Sequence, residues 1–167
     1  MKNIMGILFL TSMFFVVTAC GGNVFNEDSI KEFVMEYKTD QYTVKNPSNP
    51  PTAVEIGERV KPYLSEEEYN SFMTNRYFNI ITVVAKNTRK SIEVQDVVLE
   101  KVEENEDGSI DYNYTLQLKY YDNHFEDIIE KEGQMTIQHN GQYIITRDWE
   151  KPNQYEQDAI LNQGNEN

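Results

Sequence analysis

Hydrophobic positions recur along this chain with two different periods, and the change falls near Ser91. Before it, apolar residues lie three or four apart. Ile30, Phe33, Val34 and Tyr37 form one stripe, and Tyr69, Phe72 and Met73, with Arg76 on the same side, form another. That spacing predicts amphipathic helices. Three starts are written alike: Ser29 with Glu32, Thr52 with Glu55, and Ser65 with Glu68 all fit a capping box, in which hydroxyl and carboxylate satisfy the open amides of a first helical turn. Asp40–Pro51 contains Pro47, Pro50 and Pro51 and predicts a loop. The second helix, about Thr52–Val60, stops where Pro62 turns Lys61 away from helical geometry. The β-branched run Ile80–Val84 reads equally as a strand or as the buried end of the third helix, which leaves 77–88 open.

From Ser91 the period is two. Ile92–Val102 predicts a strand whose apolar parity switches between Val94 and Val97, the mark of a bulge. After a turn at Asn105–Ser109, Ile110, Tyr112, Tyr114, Leu116, Leu118 and Tyr120 alternate with mainly polar neighbours. Asp122–His124 turns again, Phe125–Gln138 makes a third strand, and Asn140-Gly141 predicts a type I′ hairpin into Gln142–Trp149. Pro152 ends the sheet, and 151–167 is expected as a polar, mobile tail in which Tyr155–Leu161 could form a helical turn. Helices followed by antiparallel strands predict an α+β domain over 27–150, with N-terminal helices packed on a curved antiparallel sheet of four or more strands.

Ahead of the domain, Lys2 precedes the apolar run Ile4–Val17, which ends in small residues. A membrane-spanning helix needs about 20 apolar residues, so this run predicts a cleaved secretory signal over 1–19. Val17-Thr18-Ala19-Cys20 resembles a bacterial lipobox. The resemblance implies a diacylglycerol thioether on Cys20, cleavage before it, and a new amino terminus open to N-acylation. Two acyl chains hold a protein at a membrane where one is marginal. An ordinary secreted protein with a chance cysteine is the plain alternative, and a catalytic thiol would need a nearby base. Residues 20–26 form the lipidated tether, and its Gly21–Asn26 part reaches at most about 20 Å.

Charge narrows the functions. The 167-residue chain carries −13, and loss of 1–19 removes Lys2 and no acid, leaving 148 residues and −14. Phosphate backbones and anionic headgroups repel such a domain, so nucleic-acid binding is not expected and the lipid must do the anchoring. One cysteine forms no internal disulfide, so stability must come from packing, to which eight Phe, eleven Tyr and one Trp contribute.

Tyr63-Leu64-Ser65-Glu66-Glu67-Glu68-Tyr69 ahead of the sheet, and Gly141-Gln142-Tyr143-Ile144-Ile145 through Trp149 in its last strand, resemble an NTF2-like domain. That fold is a curved-sheet cone found in small Gram-positive lipoproteins and as an accessory module of transpeptidases. Some NTF2-like relatives are isomerases or dehydratases that use Asp, His and Tyr inside the cone. Here Tyr37, Tyr69, Tyr112, Tyr114 and Trp149 would line such a cavity or simply fill the core. Asp96 and Asp127 are the carboxylates at nominally inward strand positions. No residue matches a family catalytic motif, and fold alone licenses no activity.

Glu103–Asp111 has EF-hand-like spacings, but Glu stands first and Tyr114 takes the twelfth position, so a solvated hairpin explains it better than calcium. His124 and His139 fall at expected turns with no ligand cluster around them. No metal or cofactor is expected. The favoured function is a lipid-anchored, extracytoplasmic, non-catalytic domain that binds an envelope protein or other envelope component. The alternative is a small-ligand binder or a cone-pocket isomerase or dehydratase.

Overall fold

The computed structural model describes residues 26–163; the expected signal over 1–19, Cys20 and the rest of 1–25 lie outside them. Four helices come first: α1 Glu27–Tyr42, α2 Ala53–Val60, α3 Glu66–Thr74 and α4 Asn79–Thr88, with a 3₁₀ turn at Lys61–Tyr63. Then come β1 Ser91–Glu104, β2 Ile110–Tyr121, β3 Glu126–His139 and β4 Tyr143–Glu150, followed by α5 Gln154–Gln163. The four strands pair in chain order and antiparallel throughout. Helices on a curved four-stranded antiparallel sheet is the arrangement that the NTF2-like resemblance implies.

The helix starts differ in detail. Thr52 and Glu55 make the expected reciprocal box. Ser65 accepts from the Glu68 amide, but the Glu68 carboxylate reaches across to the Asp148 amide at 2.7 Å. At α1 the cap is Asn26, not Ser29, which lies inside the first turn and donates its amide to the Asn26 side chain. The open stretch 77–88 is mostly helix α4. Its Ile81, Val84 and Ala85 share a buried face with Phe78, and that burial outweighs the weak helix preference of β-branched residues. Arg89 caps α4 in the left-handed region, φ 55°.

Three register shifts bend the sheet. The expected one leaves Gln95 unpaired between Val94 and Asp96; a second lies between Lys101 and Glu103. The third is on β4, where Ile145 and Arg147 pair with adjacent residues and Thr146 has no partner. The β3–β4 connection is not a two-residue type I′ turn. His139 pairs with Tyr143, so Asn140–Gln142 form a three-residue loop, and Gly141 alone in it takes a positive φ.

The stretch expected as a polar tail instead carries α5, which packs on α4. Asn153 and Glu156 form its capping box, each accepting the other's amide, a variant with Asn in place of Ser or Thr. Tyr155 packs on Tyr120 with ring centroids 4.4 Å apart, and Ala159 is buried.

The core lies between α1 and the inner sheet face: Ile30, Val34 and Tyr37 meet Ile92, Val97, Leu116 and Leu118. Tyr114 on β2 lies directly opposite Gly133 on β3. A Cβ at Gly133 would stand 2.3 Å from Tyr114 Cζ, so the missing side chain is what lets the ring cross β3 toward β4. Gly133→Ala should therefore displace that ring. We expect a loss of about 1–3 kcal/mol, read as a lower urea midpoint; an unchanged midpoint would mean that the ring has room to move.

Candidate functional site

The β4 bulge decides what faces inward. Period-two counting from Ile145 would send Arg147 and Trp149 into the core. The unpaired Thr146 reverses that parity, so Asp148 and Glu150 turn inward and Trp149 stands 51% exposed on the outer face. Lys38 meets the two carboxylates from the buried face of α1, and Lys131 meets Glu150 from β3. Glu156 closes the group from the first turn of α5.

Lys38 Nζ donates to Asp148 Oδ2 at 2.6 Å, Glu150 Oε1 at 2.7 Å and Gln41 Oε1 at 3.2 Å. An ammonium has three protons, and all three are used. Four phenols surround the carboxylates. Tyr37 donates to Asp148 Oδ2 at 2.8 Å, and Tyr42 and Tyr77 donate to Glu150 Oε2. The Tyr114 hydroxyl lies 2.6 Å from Asp148 Oδ1 and 2.9 Å from Glu150 Oε1. Burial, then the neighbouring carboxylates, pushes all four phenols well above their ordinary pKa, so they stay protonated donors.

The second cation, Lys131, donates to Glu156 Oε2 at 2.5 Å and lies 3.5 Å from Glu150 Oε2. Burial alone would push the Glu150 carboxyl up, but the Lys38 and Lys131 ammoniums reverse this and hold it well below the usual carboxylate range. Asp148 and Glu156 go the other way. Burial raises both, and Lys38 and Lys131 offset it only in part. Lys131, Glu150 and Glu156 form the floor of a cleft of about 340 Å³ between the α3–α4 turn and α5, walled by Tyr77, Ile80, Pro152 and Ile160.

Of the residues singled out in the sequence, Tyr37 and Tyr114 belong to this cluster, and Tyr112 is buried in the core. Tyr69 is half-buried, its hydroxyl 3.4 Å from Glu58. Trp149 points away. Asp96 does not enter the interior: it sits beside the β1 bulge, 44% exposed, and pairs with Lys31 at 2.9 Å. Asp127 is half-buried and accepts from Tyr155 at 3.1 Å, against α5 and outside the cluster. Neither is placed as the cone-pocket alternative needs. His124 is exposed in the β2–β3 turn, and His139 packs on Tyr143 at the end of β3. In the β1–β2 turn Asp107 accepts from the Ser109 amide and hydroxyl, while Asp111 accepts from Thr136. No trio of His, Cys, Asp or Glu among the described residues is grouped to hold a metal.

Sequence reading missed Lys38, Lys131, Asp148, Glu150 and Glu156. For two of them a signal was present. Lys38 occupies the helical stripe of Ile30, Val34 and Gln41, and Lys131 shares the inward parity of Ile129, Met135 and Ile137. A lysine at an apolar position predicts a buried partner.

The outer sheet face differs in character. Val98 and Trp149, both about half exposed, flank a trough of about 370 Å³ whose bed is Asn113, Thr115 and Gln134, with Glu100 and Glu132 beside it.

No family model matches the chain, and no curated protein matches it. Its fold is similar to solved structures at low identity. The periplasmic domain of DotI matches with TM-score 0.57 and 10% identity, covering 80% of this chain and 100% of that one. An IcmL-like type IV secretion system protein from Legionella pneumophila gives 0.53 and 10%, with coverage of 77% and 94%. A periplasmic fragment of TraM gives 0.52 and 10%, with coverage of 78% and 100%. At such identity the likeness is one of fold.

Two predictions follow from the charges. Lys38→Met strands Asp148 and Glu150 without their shared cation and should cost about 3–5 kcal/mol by denaturant unfolding, whereas Lys31→Ala, at the exposed pair with Asp96, should cost under about 1 kcal/mol. The second concerns Glu156. Its raised pKa means that the folded state binds the proton more tightly than the unfolded one. That contribution is complete below the ordinary value of 4.5 and is lost as pH rises through the folded pKa. The stability of wild type relative to Glu156→Gln should therefore fall over the range above pH 4.5, as pH passes through the folded pKa. A difference that stays flat or grows over that range would contradict the assignment.

Proposed function

We propose that this chain is a lipid-anchored, extracytoplasmic, non-catalytic domain that binds an envelope protein through the outer face of its sheet. The carrying observation is the contrast between the two faces. Inside, the carboxylates are held by Lys38, Lys131 and four phenols, an arrangement that spends their acid–base capacity on structure. Outside, Trp149 and Val98 leave apolar surface in water beside a polar trough, the composition of a protein contact. The favoured partner surface is apolar at its centre and basic around it, complementary to Glu100, Glu132 and the net −13 of the chain.

The leader and lipobox support an extracytoplasmic address. The neighbours in fold support it too, since two are described as periplasmic and a third as a type IV secretion system protein. With the anchor on Cys20 and α1 starting at Glu27, the short tether keeps the domain within reach of membrane-bound partners.

One experiment tests both parts. Cells carrying a photocrosslinkable residue at Trp149 or Val98, and at Val54 on α2 as a control, are fractionated with and without Cys20→Ala. We expect wild type in the membrane fraction, and release or lack of processing with Cys20→Ala. We expect discrete crosslinks from Trp149 and Val98 that are missing from Val54. A processed, membrane-bound Cys20→Ala protein would refute the anchor, and equal crosslinking from Val54 would refute the outer face as the contact.

A further inference from the structure

The cleft between the α3–α4 turn and α5 supports an inference independent of the outer face. Among the described residues the buried charged side chains are Lys38, Lys131, Asp148, Glu150 and Glu156, two positive against three negative. The amino end of α5 offsets a fraction of the charge on Glu156; with all five groups ionised, one negative unit is left where water cannot screen it, to be neutralised by a proton or by a bound cation.

Glu156 is the group with capacity to spare. It is 2% exposed and lines the cleft. Its Oε2 accepts from Lys131 and from the Asn153 amide, whereas its Oε1 is buried and receives no hydrogen bond from the protein. Above it the walls are apolar: Ile80, Pro152, the ring of Tyr77, and Ile160, half exposed at the mouth. A volume of about 340 Å³ lies within the range of small-ligand pockets. Arg76 is also at the rim, but it is exposed, and salt screens its charge there.

We propose that this cleft binds a primary ammonium group carried on a short apolar chain. The ammonium donates to Glu156 Oε1 and supplies the missing positive charge, while the chain lies against Ile80, Pro152 and Ile160. A free alkylamine and a lysine side chain of another protein share this chemistry.

The test is thermal unfolding of the mature chain at neutral pH with four probes: n-butylammonium, n-butanol, butyrate and N-acetyl-lysine methylamide. We expect an ammonium probe at saturation to raise the midpoint by about 3 °C or more, with no rise from butanol or butyrate. A larger response to butylammonium identifies a free amine as the source, and a larger response to the blocked lysine identifies a protein side chain. Glu156→Gln should abolish the response. Should that variant fail to fold, Ile160→Ser at the exposed wall keeps the test open, and we expect it to weaken binding roughly three- to tenfold. The proposal is overturned if no ammonium probe shifts the midpoint, as when Glu156 is satisfied by its own proton. It is equally overturned if butanol matches butylammonium, or if folded Glu156→Gln or Ile160→Ser responds like wild type.

Discussion

The ammonium of Lys38 is the tie between the first helix and the last strand. It joins α1 to residues 110 and 112 positions further along the chain, through bonds to Asp148 and Glu150. In a low-dielectric interior two like carboxylates so close would repel strongly, and the shared cation is what makes their common burial tolerable. The surrounding phenols complete the arrangement, since each hydroxyl replaces a water that the carboxylates lost on folding. A polar cluster satisfied in this way around Asp148 and Glu150 fixes geometry more than it adds net stability, because the desolvation of each ion offsets much of its attraction. The tie therefore selects one docking of helix on sheet over others that an apolar interface of equal area would accept.

Much of the architecture is legible from residue spacing, and the failures have local causes. The β2 alternation from Ile110 to Tyr120 appears residue for residue, because a half-buried strand with one apolar face has a single register that buries it. The β1 bulge is visible since apolar residues lie on both sides of it and the parity change can be counted. The β4 bulge is not, because Thr146 and Arg147 are polar and mask the switch. That one unpaired residue hid Asp148 and Glu150 and misplaced Trp149. In α5 the polar composition concealed a helix that needs few apolar contacts: Tyr155, Ala159 and the buried Glu156 dock it.

The two sheet faces divide the labour. The inner face is committed to Tyr, Leu, Ile and the ion cluster, and with Gly133 beneath Tyr114 it has little latitude for change. The outer face carries no such constraint. Its Thr, Gln and Glu rows answer mainly to solvent, so Trp149 and Val98 stand out there as apolar side chains that folding itself does not require.

The position of α5 after the last strand carries a consequence for synthesis. Every strand hydrogen bond can form once Glu150 has emerged, yet Lys131 then lacks the carboxylate of Glu156, and Tyr120 lacks its cover from Tyr155. Without α5 the sheet is left with a charged gap in its side, where Lys131 and Tyr120 would face water. The interior is thus complete only when α5 is docked, and the buried glutamate closes the side of the sheet that the strands alone leave open.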